Sequence, residues 1–570
     1  MKLKNQINSY LQKITENITG DKAEIEIQPA QESIHGDYST NIALKIFPKV
    51  KNKFKNPLEF AKKIAEELEK ISEPSNILEK AEVAAPGFIN CWLKDKALLK
   101  NLKEVIDYKD KYGKGERLKN KKIILEFADP NPFKEFHIGH LRNISLGESY
   151  ARLMEFEGGK VFRVNYQGDV GMHVAKAIFG LIKKLDQQKI NLLDLEKKSL
   201  DQKIKILGES YALGSKMFDE NEKSQKEIKD LNIKIYQNDQ SIREIWDKGR
   251  KWSLDNFEKT YKRVGTKYKR YYFESEVAEN GKKIVLSHLK DGVFEKHEGA
   301  VVFRGDHTRV FVTSQNNTTY EAKDLALAKI KFADFSYDQS IIITANEQEA
   351  YFKVVLGAMK KIFPRLASKT IHNSFGFVKL KNGKMSSRSG NIVSGEWLLD
   401  EAKKRIKGQF GNMDEKTLEK VVVGAVKYSM LKFSRTSDIL FSFEESISFE
   451  GNSGPYLQYT YARTQSVLRK AQNANNQQLT INNQLENKEL LILRSLIHFS
   501  EIVEEAGVNF APNLLCNYLF ELSQKFNNFY QKHKIIGSKN EDFRLSLTSA
   551  VGQVLKTGLY LLGIEAPEKM

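Results

Sequence analysis

Three observations predict an α/β protein. The run Ile123-Ile124-Leu125-Glu126-Phe127-Ala128 is almost wholly apolar, as a strand covered on both faces of a parallel sheet must be. A Pro-containing loop, a helical pattern and a second strand, Val161-Phe162-Arg163-Val164-Asn165-Tyr166, follow it, which makes one βαβ unit. The remainder of the chain splits into a small mixed segment before this unit and a long helical segment after it. The predicted architecture is a Rossmann-like parallel-sheet domain preceded by an α+β domain and followed by an all-α domain.

The elements follow in chain order. Residues 23–29 (AEIEIQP) alternate apolar and polar and read as a strand. After a polar turn, Ile34 to Asn41, a helix is expected from Pro57. Asn56 can cap it, and Leu58, Ala61, Ile64, Ala65, Leu68 and Ile71 form its inner face. Val83 to Asn90 is a turn entering a strand. The charged stretch 110–122 marks a boundary, giving a first domain over 1–112. The central domain spans 113–415. Its helix starts near His137, with Leu141, Ile144, Tyr150, Ala151 and Met154 inward. Residues 181–265 carry Lys, Glu, Asp and Gln at helical spacing and read as a helical insertion. Residues 300–312 and 339–345 are further strands. From about 415 the pattern is helical to residue 570, with an Asn/Gln-rich loop at 472–487.

Composition narrows the function classes. Apolar residues make up 41% of the 570, enough for several cores, so wholesale disorder is excluded. Two cysteines, Cys91 and Cys516, exclude a disulfide framework and a Cys-based zinc knuckle, and suit a reducing cytoplasm. No apolar run approaches the ~18 residues that span a bilayer, and the first residues lack the apolar core of a secretory signal. Lys plus Arg is 91 against 73 Asp plus Glu, a net charge of +18 that points to a polyanionic partner or to an evenly spread solubility charge.

Two motifs carry chemistry. His137-Ile138-Gly139-His140 sits where a helix begins directly after a strand. Unpaired N–H groups and the positive dipole end make such a position an anion site. Gly139 lets a flat ring approach the backbone, and two imidazoles can donate to a phosphate as charge develops. The same spacing also fits half a metal site with His173, or two partly exposed helix histidines. The second motif, Lys381-Asn382-Gly383-Lys384-Met385-Ser386-Ser387-Arg388, is a basic, hydroxyl-rich loop. Alone it is an ordinary basic turn. With a phosphate nearby, its lysine is a point charge and its serines are donors.

Together, in this order, His-Ile-Gly-His and Lys-Met-Ser-Ser resemble the two signatures of the class I aminoacyl-tRNA synthetases. The resemblance narrows to the arginyl members and covers nearly the whole chain. Glu126 to Asn131, Asn165-Tyr166-Gln167-Gly168-Asp169-Val170-Gly171, His35 to Asn41, Pro86 to Asn90, Gly454 to Tyr459 and the closing Leu561 to Met570 all look like that family. The resemblance implies ATP as a substrate with Mg²⁺, no zinc, and L-arginine and tRNA(Arg) as partners. It also implies a tRNA-gripping first domain and an anticodon-binding last domain. A cytoplasmic monomer is expected.

The resemblance also assigns residues. His137 and His140 would meet the phosphates and Gly139 the adenine or ribose. Lys384 would stabilise the departing pyrophosphate, with Ser386 and Ser387 holding the loop on the nucleotide. Asn131 would hold the substrate before the helix. Glu274, Tyr320 and Asp324 would meet its guanidinium, and Gln348 its amino-acid end. A guanidinium has five donors and a fixed planar charge, so its pocket needs carboxylates, whereas a lysine substrate needs fewer. Tyr459 and Arg463 are candidate tRNA contacts, among aromatics (Tyr456, Tyr461, Phe526, Phe529, Tyr530) that could equally be core. The Gly36-Asp37 turn reads as structural. Two other classes stay open: a small-molecule nucleotidyltransferase, which is normally shorter, and a catalytically dead RNA-binding relative.

Overall fold

The computed structural model describes residues 3–22, 24–30, 35–71, 77–381, 393–411, 413–471 and 485–570. Lys384, Ser386 and Ser387, and most of the Asn/Gln-rich stretch, lie outside them.

The first domain is a four-stranded antiparallel sheet with helices against it. Its strands are β1 (Ile27–Pro29), β2 (Tyr38–Thr40), β3 (Leu78–Ala84) and β4 (Phe88–Leu93), in the order β1-β2-β4-β3. The strand expected over 23–29 is thus shorter, a three-residue edge strand paired with β2. The helix Pro57–Lys70 begins as expected. Asn56 accepts from the Glu59 N–H at 2.9 Å, and Phe60, Ala61, Ile64, Ala65 and Leu68 are buried.

The central domain is built on β5 (Lys122–Glu126), β6 (Lys160–Gln167) and β7 (Arg270–Phe273). Next come β8 (Glu295–His297), β9 (Ala300–Arg304) and β10 (Thr308–Val312), then β11 (Gln339–Ala345) and β12 (Thr370–Phe375). One sheet has the order β12-β11-β5-β6-β7, with every pairing parallel. Chain order reverses between β5 and β11, so their carboxyl ends form the switch-point crevice where such sheets bind ligands. The strands expected near 300–312 do not join this sheet. They form a separate antiparallel one, β10-β9-β8, because a tight turn between β9 and β10 makes a hairpin instead of a crossover. Between β6 and β7 run five helices, Met172–Gln188 to Gln240–Arg263, which pack their own core around Val174, Ile178, Leu207, Ile228 and Trp252.

Beyond residue 415 the described residues form helices and one short strand. β13 (Val378–Leu380) pairs in parallel with β14 (Ile439–Phe441), tying the start of this segment to the central domain. Helices Glu415–Leu431, Gly454–Ala471, Pro512–Lys532 and Glu541–Leu561 pack around Val421, Ala425, Leu457, Leu519, Phe526, Val551 and Leu555.

The Gly36-Asp37 turn docks the first domain onto this bundle. Arg494 lies 3.2 Å from the Asp37 carboxylate, which also accepts from the Leu93 N–H, and Tyr38 donates to Glu501 at 2.7 Å.

Candidate functional site

The helix Ile138–Phe156 starts at the carboxyl edge of the sheet, and His137 is its N-cap. His137 Nδ1 accepts from the Gly139 N–H at 3.1 Å, and His140 Nδ1 accepts from the His137 N–H at 3.0 Å. The rings stack with centroids 3.6 Å apart. Burial, reinforced by Lys134, lowers His137 to about 4. Burial, then His137, holds His140 well below the ordinary histidine value. Both imidazoles are therefore neutral near pH 7. With each Nδ1 engaged as an acceptor, the ring proton of each sits on Nε2, a donor. A Cβ at Gly139 would come within 3.0 Å of the His137 ring, so glycine allows this stack. His173, the third residue of the metal alternative, has its Nε2 2.8 Å from the Gly168 carbonyl.

The two flanks of the second motif meet this helix. The Ile138 N–H donates to the Val393 carbonyl at 2.9 Å and the Gly395 N–H to the Phe136 carbonyl at 2.8 Å. On the other flank, the fully buried Arg142 donates to the carbonyls of Gly376, Phe377, Arg435 and Ser437 at 2.7–2.9 Å.

Asn131 lies on the loop between β5 and this helix. Ala128, Asp129 and Phe133 all have positive φ there, and such residues cost roughly 1–2 kcal/mol each. Strain of this kind persists only where surrounding contacts impose it. Here Asp129 accepts from the Tyr166 N–H at 2.8 Å and Asn131 from the Gly168 N–H at 2.9 Å. Gly168 has no room for a side chain. A Cβ would sit 2.7 Å from the Asn131 amide oxygen and 2.8 Å from Glu274 Oε1, so the three residues converge.

Glu274 begins the helix that follows β7 and is buried. Its Oε2 is 2.6 Å from Lys323 Nζ, which also reaches the Tyr236 hydroxyl at 3.0 Å. Burial raises Glu274 and Lys323 counteracts it. Tyr320 and Asp324 share a face of the helix Tyr320–Phe335, as their spacing implies. Tyr320 is half exposed, with Lys323 Nζ 5.1 Å from its ring centre. Asp324 accepts from the Tyr351 hydroxyl at 2.6 Å, and burial, with Glu126 and Glu274 nearby, pushes its carboxyl up to about 7. Gln348 closes a short turn after β11 on the same sheet edge. Among the described residues no hydrogen bond joins it to Asn131, Glu274, Tyr320 or Asp324.

The sequence reading missed several residues here. Glu126 ends β5, buried and 2.9 Å from Lys331. Asp129 is raised well above the usual carboxylate range by burial and then by Glu126. A carboxylate at the carboxyl end of an apolar strand was the available signal for Glu126. Lys323 and Tyr236 gave none, because their meeting depends on the insertion folding back onto the sheet.

In the last domain the aromatics divide. Tyr461, Phe526 and Phe529 are core, whereas Tyr459 and Tyr530 are exposed. Arg463 lies over both of these rings, 4.8 and 5.1 Å from their centres, and donates to Asn527. Tyr459 and Arg463 border a groove of about 700 Å³ lined also by Phe410, Phe449 and Met570. Among the described residues no helix is long and apolar enough to cross a membrane.

Three family models match the chain. They are the catalytic domain of class I tRNA synthetases (R) over 101–443, the DALR anticodon binding domain over 457–570 and the arginyl tRNA synthetase N terminal domain over 1–93. The chain is 32% identical to the arginine–tRNA ligase of Borrelia garinii subsp. bavariensis, across 100% of this chain and 99% of that protein. It is 34% identical to the arginine–tRNA ligase of Treponema denticola, across 85% of each. The solved arginyl-tRNA synthetase of Thermus thermophilus shares the fold, with a TM-score of 0.80 at 24% identity and full coverage of both chains.

Proposed function

The chain belongs to the arginyl-tRNA synthetase family of class I, and on that premise we propose that it acts as an arginine–tRNA ligase through the residues converging at the switch point. The observation that carries the reading is the juxtaposition of an anion-binding helix start with an acid-rich pocket on one sheet edge. The first binds a nucleotide's phosphates and the second an amino acid with a cationic side chain.

In the first step the arginine carboxylate attacks the α-phosphorus of ATP in line. The bond to the bridging oxygen breaks and pyrophosphate leaves with the electron pair. Positioning and electrostatics do most of this work. The Nε2–H groups of His137 and His140 donate to phosphate oxygens, and as neutral donors they neither need nor lose a proton. Gly139 supports the adenine or ribose. Lys384 meets the growing charge on pyrophosphate, and Ser386 and Ser387 hold the loop on the nucleotide. Mg²⁺ would travel with the polyphosphate, held mainly by phosphate oxygens and water.

Glu274, Tyr320 and Asp324 receive the guanidinium, Asn131 holds the substrate before the helix and Gln348 faces the amino-acid end. In the second step the 2′-hydroxyl of the terminal adenosine attacks the carbonyl carbon of the adenylate and AMP leaves. The first domain, over 1–112, grips the outer corner of the tRNA. The groove at Tyr459 and Arg463, within 416–570, suits unstacked anticodon bases, since exposed rings and a guanidinium plane are stacking surfaces. The chain works as a cytoplasmic monomer on one tRNA(Arg).

Aminoacylation of total tRNA with each of twenty labelled amino acids tests the assignment. Labelling by arginine alone is expected, and labelling by another amino acid, or by none, overturns it.

A further inference from the structure

The central strand β6 ends at the crevice with alternating side chains. Asn165 and Gln167 point to one face, where Asn165 donates to the Phe127 carbonyl and Gln167 to Asn165. Val164 and Tyr166 point to the other, which is covered by the helices carrying Glu274 and Asp324. Tyr166 is the last residue of that face before Gly168, and its own N–H is held by Asp129. Its ring packs on the apolar layer, but its hydroxyl oxygen is buried and, among the described residues, has no hydrogen-bond partner. A buried hydroxyl without a partner is unfavourable, and tyrosines in cores normally find one. Burial, and then Glu274, Asp324, Glu126 and Asp169, hold this phenol protonated far above the ordinary range.

We propose that the Tyr166 hydroxyl is a specificity-determining contact for the substrate's guanidinium, accepting one of its N–H donors. This rests on the arginine reading of the site. A neutral oxygen set among carboxylates is suited to a planar ligand with more donors than the acids alone can take. A guanidinium has five donors, and an ammonium has three on a single atom. A further acceptor beside the acids serves the additional donors of a guanidinium, so it favours the first over the second. The surrounding acids repel the substrate's carboxylate, so this end of the site receives the side chain.

Tyr166→Phe removes one atom from a ring that stays packed, so the fold is preserved and the thermal midpoint is expected to stay the same or rise. In aminoacylation by the full chain, KM for arginine is expected to rise about ten- to hundredfold, as loss of a hydrogen bond to a charged group implies, with KM for ATP unchanged. An unchanged KM for arginine overturns the proposal. Asp324→Asn, measured alongside, separates the two levels. If it raises KM for arginine while Tyr166→Phe does not, only the tyrosine contact fails. If neither variant changes it, the arginine pocket itself is wrong.

Discussion

Glu148 and Asp324 are both carboxylates on helices packed against the same sheet, and they live in opposite environments. Glu148 accepts from Arg152 at 2.7 Å, from Arg163 at 2.9 and 3.2 Å and from Thr266 at 2.8 Å. Burial acts to raise it, but the two arginines outweigh burial and hold it below the usual range. Asp324 has the Tyr351 hydroxyl as its donor among the described residues and faces Glu126 and Glu274, which push it up with burial. A paired buried acid locks elements together. An under-paired one in a crevice marks a place where a cation is to be received. Within a chain of net charge +18, the crevice brings Glu126 and Glu274 close to Asp324.

The comparison can be broken most forcefully at the paired acid. Glu148→Gln leaves Arg152 without its carboxylate and Arg163 with Glu155 alone, so stability measured by denaturant unfolding is expected to fall by about 1.5–3 kcal/mol. KM for arginine in the folded fraction should not move. The converse test is at the crevice. Lys384→Ala is expected to lower kcat by about 10²–10³-fold, with KM for arginine unchanged, in steady-state aminoacylation. Asp324→Asn should raise KM for arginine by about 10²-fold, the cost of truncating one partner of a hydrogen-bonded charge pair. Its stability should rise near neutral pH. The folded carboxyl titrates near 7 and an unfolded one near 4, so the native chain loses stability as pH climbs between those values, and asparagine removes that loss. The smallest effect is in the last domain. Tyr459→Ala should raise KM for tRNA about tenfold, the worth of one stacked base, and leave KM for arginine alone.

The two environments differ also in how far the sequence reveals them. The His137–His140 turn is legible because its geometry is local: an N-cap histidine, a glycine in the first turn and a second histidine three residues on fix both rings. The Tyr320–Asp324 face is legible for the same reason. What was not legible depends on contacts between distant segments. Lys323 meets Glu274 from 49 positions away and Tyr236 from 87. Arg142 ties its helix to carbonyls 234 to 295 positions on, and Asp37 finds Arg494 in another domain. The helical pattern past 415 concealed β14 because three residues, Ile439–Phe441, carry too little periodicity to stand out. The separate β8–β10 sheet was hidden because a strand's sequence does not say which sheet it joins.

The claim that an under-paired acid receives the substrate's cation is tested most directly by the pH dependence of kcat/KM for arginine in the wild type and in Asp324→Asn. The wild-type value should climb with pH to a plateau, with an apparent pKa near 7 for the free enzyme, as the carboxyl ionises. The variant should be low and flat over the same range. A variant profile that keeps the wild-type rise would contradict the account.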